Sequence, residues 1–274
     1  MSDRDLLQRH GIAPKKSLGQ NFLHDPNTLA KIVEIADLPP GATVVEIGPG
    51  TGNLTRLLAQ AAARVIAVEI DGRLVALLRS QFAAQPHVEL VHGDILDVNL
   101  ADRLGDASYM VVANLPFYIT SAILRHLLET LPRPQRIVVT VQREVAERLV
   151  ARPGEMSLLA VSVQFYGQPQ IALRLNPALF WPRPDVEAAV VRIDVRDRPP
   201  VDAPDERLFF RVARAGFGQK RKQLRNALSA GLGIDKTQAD ALLGQARIDP
   251  QRRAETLSLA EWAALAQAVG AAGV

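Results

Sequence analysis

Apolar positions follow two alternating rhythms through most of the chain. TVVEI (43–47), RVIAVEI (64–70), VELVHGD (88–94), YMVVANL (109–115) and RIVVTVQ (136–142) are short, nearly continuous apolar runs that predict buried strands. Between them, the run through Leu54, Leu57 and Leu58, then LVALLRSQF (74–82), ITSAILRHLLETL (119–131) and EVAERLV (144–150), have the spacing of helices with one buried face. LLAVSVQFY (158–166) and AAVVRIDV (188–195) are rich in β-branched residues and read as two more strands, with Phe165 and Tyr166 as strand packing. No helix of similar length separates these two, so an antiparallel pair at one sheet edge is expected. Strand and helix in alternation predict an α/β fold with a mostly parallel sheet covered on both faces.

The pattern breaks at DRPPVDAP (197–204), a proline-rich linker. Beyond it the strands stop, and the rest, through LSLAEWAALAQAV, is helical in spacing. Ser258 and Glu261 stand at capping-box distance before the last helix. The expected organisation is a ligand-binding domain over residues 1–196, a linker at 197–204 and a small all-helical domain at 205–274.

Composition narrows the chemistry. The 274 residues include no cysteine, which removes disulfides, thiolate nucleophiles and cysteine-ligated zinc. His10, His24, His87, His92 and His126 are scattered without metal-ligand spacing, so no metal is expected. The first residues hold no apolar run of the signal-peptide kind, and no stretch of about 20 apolar residues could span a bilayer. A cytoplasmic protein without a membrane partner is expected. The net charge is only +3, but Arg207, Arg211, Arg214, Lys220, Arg221, Lys222 and Arg225 follow one another with no acid between them. Such a run points to phosphates, unless acids from elsewhere in the fold neutralise it.

Three strand ends carry candidate chemistry. VVEIGPGTGNL (44–54) places Gly48, Gly50 and Gly52 between a strand and a helix, where backbone can approach a ligand. The spacing is G-x-G-x-G, and Asn53 stands where a dinucleotide fingerprint would continue, so a dehydrogenase is disfavoured. Glu69 ends the next strand, where a carboxylate can accept from both hydroxyls of a ribose; Asp71, before Gly72, reads as a helix start. Asp94 follows the third strand and can accept from the exocyclic amine of an adenine, with Ile95 against the base. Together these positions match an adenosine.

EIGPGTGNLT, VEID, GDIL and NLPF, in this order, resemble a class I S-adenosylmethionine-dependent methyltransferase with a Rossmann-like sheet. KKSLGQNFLHDP, PRPDVEAAVVRI and QKRKQLRNAL narrow the resemblance to the ribosomal RNA adenine dimethyltransferases of the KsgA type, from about Lys15 to the chain end. The resemblance implies S-adenosylmethionine as methyl donor and two adjacent adenosines in a hairpin near the 3′ end of 16S rRNA as targets, within the small subunit or its precursor. It implies that Asn21 and Leu23 close over the cofactor, that Gly48 meets its amino-acid part, and that Asn114 lies near both cofactor and target; Gly50 is a further expected cofactor contact. Arg214, Lys220, Arg221, Lys222 and Arg225 are the expected RNA contacts of a monomeric enzyme. The family usually has Tyr where this chain has Phe117. A methyltransferase of large-subunit rRNA and an RNA-binding assembly factor are the alternatives.

NLPF suits an adenine amine, which is a poor nucleophile and needs placement more than activation. The Asn114 side-chain oxygen and the Leu115 carbonyl could accept its two N–H bonds. Pro116 biases Leu115 to an extended conformation and so aims that carbonyl. Phe117 could stack on a base turned out of its helix. Trp181 reads as packing, or as a loop residue near the target.

Overall fold

The structure, a computed structural model, describes residues 2–203 and 205–274. The chain opens with α1 (Asp3–Arg9), β1 (Phe22–Leu23) and α2 (Pro26–Ala36). Strand and helix then alternate: β2 (Thr43–Ile47), α3 (Asn53–Ala61), β3 (Arg64–Glu69), α4 (Gly72–Gln81), β4 (Val88–His92), α5 (Ala101–Leu104), β5 (Tyr109–Asn114), α6 (Thr120–Glu129) and β6 (Arg136–Gln142). After α7 (Arg143–Leu149) and α8 (Leu158–Tyr166) come β7 (Gly167–Leu175), β8 (Phe180–Trp181) and β9 (Ala188–Val195). The last elements are α9 (Glu206–Phe217), α10 (Leu224–Leu232), α11 (Lys236–Gln245) and α12 (Leu259–Ala271).

The main sheet has the order β4-β3-β2-β5-β6-β9-β7. Strands β2 to β6 run parallel to their neighbours, and β9 is antiparallel to β6. An antiparallel strand is present as expected, but β9 pairs with β6 and not with residues 158–166. Val44, Val65, Val112 and Val138 line one face of the sheet and pack with Leu29 and Ile32 of α2 and Leu54 and Leu58 of α3. Each such burial contributes about 1.5–3 kcal/mol. A two-stranded piece, β1 with β8, lies apart from this sheet in hydrogen bonding.

Two compact units result: residues up to Ala146 with Gln168–Val195, and Glu147–Gly167 with Arg196–Val274. This corrects the sequence reading, which gave 147–167 to the first domain. It also corrects LLAVSVQFY, which is the helix α8 and not a strand. Ser157 caps it by accepting from Ala160 N–H. Nearly every α8 side chain is buried, so its hydrophobicity has no helical period to reveal it. The edge strand follows instead at β7, with alternating exposure and Pro169 inside it, as an edge allows.

In the helical unit, the Phe165 ring of α8 lies 4.5 Å from Phe209 and 5.1 Å from Phe210 of α9. The Tyr166 ring stacks on Phe210 at 5.5 Å. Helices α9 and α10 cross where a Cβ on Gly231 would stand 2.6 Å from Ala215 Cα, so glycine sets that approach. The Ser258–Glu261 capping box is formed. Phe165→Ala is expected to lower stability by about 3–5 kcal/mol, measured by denaturant unfolding, because Phe165 is fully buried among rings from another helix.

Candidate active site

The sheet order reverses between β2 and β5, so the loops leaving their carboxyl ends part there and open a crevice. A cleft of about 770 Å³, open to solvent, occupies this place. Its walls come from residues 18–22, from the loop after β2, from the end of β3, from residues 93–95 and from residues 114–119.

The Gly-rich loop turns through positive φ at Gly48 (67°), Gly50 (60°) and Gly52 (83°). At Gly50 a Cβ would lie 2.8 Å from Cδ1 of Phe22, so the ring of the N-terminal segment roofs bare backbone. Gly50 N–H donates to Glu69 Oε2 at 3.1 Å, and Asp71 N–H donates to Glu69 Oε1 at 2.9 Å. Glu69 is 5% exposed; burial raises its pKa, opposed by these backbone N–H donors. Asp71 has another task. It caps α4, accepts from Arg73 and Gln20, and the Arg73 guanidinium holds its carboxyl well below the usual range. Asp94 borders the cleft and accepts from Leu96 N–H at 3.0 Å, with buried Ile95 beside it.

Asn114 ends β5. Its Nδ2 donates to the carbonyl oxygen of Asn21 at 2.9 Å, which fixes the amide, while its Oδ1 is buried and accepts no hydrogen bond. A buried oxygen of this kind is costly unless something donates to it. Leu115 N–H donates to Thr140 O at 3.2 Å, and Thr120 Oγ1 donates to Pro116 O at 3.1 Å, so the backbone of the NLPF turn is held at two points. Phe117 is half-buried against the apolar cluster on the sheet face, while Tyr118 is 59% exposed. Both border the cleft.

The structure therefore brings together Asn21, Gly48, Gly50, Glu69, Asp94, Asn114, Leu115, Pro116 and Phe117. Leu23 is not among the cleft residues: it pairs with Phe180 and is buried in the core. Phe22, Gln20 and Tyr118 escaped the sequence reading as site residues. GQNFL contained the signal for the first two, but nothing local showed that Phe22 would reach Gly50. Trp181 stacks on Phe22 at 6.4 Å, a packing role.

The basic run lies in the helical unit. Arg214, Lys220, Arg221 and Lys222 are exposed and make no ion pair among the described residues. Arg225 departs from the expectation of an unopposed charge: its NH1 lies 2.9 Å from Asp240 of α11. Arg211 donates to the carbonyl of Val274.

Known proteins resemble this chain in sequence and fold. A family model described as ribosomal RNA adenine dimethylase matches residues 12–265. The chain belongs to this family. Curated relatives called ribosomal RNA small subunit methyltransferase A include one from Dehalococcoides mccartyi, 45% identical over 94% of this chain and 89% of its own. Another, from Moorella thermoacetica, is 46% identical over 96% and 94%. Among solved structures, the 23S rRNA methyltransferase ErmE has a TM-score of 0.71 at 28% identity, covering 91% of this chain and 100% of its own. A dimethyladenosine transferase from Plasmodium falciparum has a TM-score of 0.77 at 22% identity, covering 91% and 98%, and shares the fold. The protein is thus a methyltransferase of the rRNA adenine dimethylase family, with the expected class I fold. Gly50→Ala is expected to weaken S-adenosylmethionine binding at least about tenfold by calorimetry, since the new methyl group must displace the Phe22 ring and strain a positive φ.

Proposed function

We propose that the protein transfers methyl groups from S-adenosylmethionine to the N6 amines of two adjacent adenosines in a hairpin near the 3′ end of 16S rRNA, during small-subunit assembly. The observation that carries this reading is the buried, unpartnered Oδ1 of Asn114 at the cleft that Glu69, Asp94 and the glycine loop also line. When bound, S-adenosylmethionine supplies an electrophilic methyl group on a sulfonium. Glu69 holds its ribose, Asp94 its adenine, and Asn21, Gly48 and Gly50 border its amino-acid end.

Asn114 Oδ1 accepts one N–H of the target amine. The Leu115 carbonyl, in the turn whose neighbouring groups are pinned by Thr140 and Thr120, accepts the other. Two acceptors in this arrangement favour a pyramidal nitrogen with its lone pair free. Placement of bound reactants can supply about 7–11 kcal/mol of a barrier, so positioning is the larger part of catalysis here. A paired base cannot enter, so the target is unpaired or turned out of its helix. Phe117 and exposed Tyr118 offer it aromatic faces, and a stacked base gains about 1–3 kcal/mol. Arg214, Lys220, Arg221 and Lys222 meet RNA phosphates.

The small subunit is favoured over the large one by identity: relatives named for it reach 45–46%, against 28% for ErmE. The deciding experiment is transfer of tritiated methyl groups to small subunits lacking the modification, with the modified nucleotides mapped. Transfer to large-subunit RNA alone would replace this substrate, and RNA binding without transfer would favour an assembly factor. Asn114→Ala is expected to lower turnover at least about a hundredfold while RNA binding persists in filter assays. Replacing Lys220, Arg221 and Lys222 by Gln together is expected to reduce the salt slope of RNA binding by about 2, as the loss of roughly three phosphate contacts requires.

A further inference from the structure

A second acid lies beneath the cofactor cleft and has no part in the reaction as described. Glu46 sits near the end of β2, two residues before Gly48, and is 1% exposed. Its register partner is Ala67, and Glu69 stands two residues further along β3, so both carboxylates leave the same face of the sheet. Glu46 Oε2 accepts no hydrogen bond, and neither does the fully buried hydroxyl of Thr55 on α3. Glu69, in contrast, is held through both oxygens by backbone N–H groups. One acid is built to carry a negative charge and the other is not.

We propose that Glu46 and Glu69 share one negative charge, with the proton kept on Glu46, so that Glu69 remains a pure acceptor for the two hydroxyls of the cofactor ribose. The inference rests on the reading that Glu69 holds that ribose. Two buried carboxylates that act on one another do not both ionise readily. Burial pushes the Glu46 carboxyl up to about 8, and the charge of Glu69 adds to the rise. Among the described residues, the groups acting on Glu46 are Thr55 from α3 and Glu69 from β3, with no base among them. Asp71 acts on Glu69 from the same end and is itself held ionised by Arg73. Glu46 is a positioning residue: it touches no substrate and acts through the charge state of its neighbour.

The direction with pH follows. Below about 8 Glu46 is neutral and the single charge stays on Glu69. Above it, ionisation of Glu46 sets a second charge beside the first, and a ligand that covers Glu69 takes water away from a pair that then carries two charges. Ligands with a ribose diol should bind more weakly as pH rises, by up to about tenfold per unit once past the Glu46 transition. The probe is 5′-methylthioadenosine, which keeps the diol and adenine but lacks an amine that titrates there. Calorimetry from pH 6 to 9.5, in buffers of different ionisation enthalpy, reads affinity and proton exchange together. The inference expects a fall in affinity above pH 8, uptake of close to one proton per ligand, and loss of both effects in Glu46→Gln. If that variant does not fold, the proton uptake of the unaltered protein decides alone. Affinity flat across the range, with no proton exchange, overturns the inference. Absence of binding at every pH, to S-adenosylmethionine as well, overturns the assignment of the ribose site itself.

Discussion

Gly50 is the point on which the site depends. Its N–H fixes one oxygen of Glu69, its positive φ turns the chain from β2 towards α3, and its missing side chain admits the ring of Phe22. Three separate segments, 20–22, 48–52 and 69–71, are thereby held together without any covalent link. A methyl group at this position would disturb all three at once. Glycine is needed here for two reasons, the sign of φ and the approach of an aromatic ring.

The N-terminal segment enters the site through backbone and amide contacts, which its sequence alone only hints at. Gln20 donates to Asp71, and the Asn21 carbonyl accepts from Asn114 Nδ2. The second contact settles which end of the Asn114 amide is committed to structure and which is left for a ligand. Removing the Asn21 carbonyl from its place would free the amide to rotate and present a donor to another donor. Asp71 shows how the same end of the sheet separates structure from chemistry. It is tied to Arg73, Gln20 and the start of α4, so its charge is spent on holding the loop, while Glu69 two residues earlier meets only N–H groups.

The parallel sheet was legible because each of β2 to β5 is a short, mainly apolar run that ends at or just before a glycine, an acid or an asparagine. The cleft was legible because those strand-end residues are chemically unusual: Gly48, Glu69, Asp94 and Asn114 have no reason to end buried strands in succession unless a ligand meets them. What failed was local signal overridden by packing. Helix α8 is buried all round, so its valines and aromatics imitate a strand, and only Ser157 marked a helix start. Strand β7 is half exposed and interrupted by proline, so it imitates a loop. Arg225 looked free because its partner, Asp240, is on the next helix, and a charge run read along the chain cannot see an acid brought to it in space. Leu23 was expected at the cofactor by resemblance alone, and its side chain lies in the core.

Of the buried side-chain atoms without a partner among the described residues, Arg225 Nε, Asp240 Oδ1 and Trp262 Nε1 lie in the helical unit, and the other five belong to the sheet unit. Glu46 Oε2, Thr55 Oγ1, Gln81 Oε1, Asn114 Oδ1 and Thr140 Oγ1 lie on elements that meet the glycine loop or the NLPF turn. Gln81 Oε1 would stand 2.8 Å from a Cβ on Gly52, and Thr140 is the register partner of Asn114. Each such atom costs about 1–3 kcal/mol if nothing donates to it. For Glu46 the cost depends on pH with a definite sign: an acid whose folded pKa is raised keeps a proton that the unfolded chain releases, so stability falls as pH rises from about 4.5 to about 8. Further back along the same strands, Val44, Val65 and Val138 are fully buried. Stability is supplied along the middle of the sheet and given up at Glu46, Asn114 and Thr140, close to the strand ends that open on the cleft.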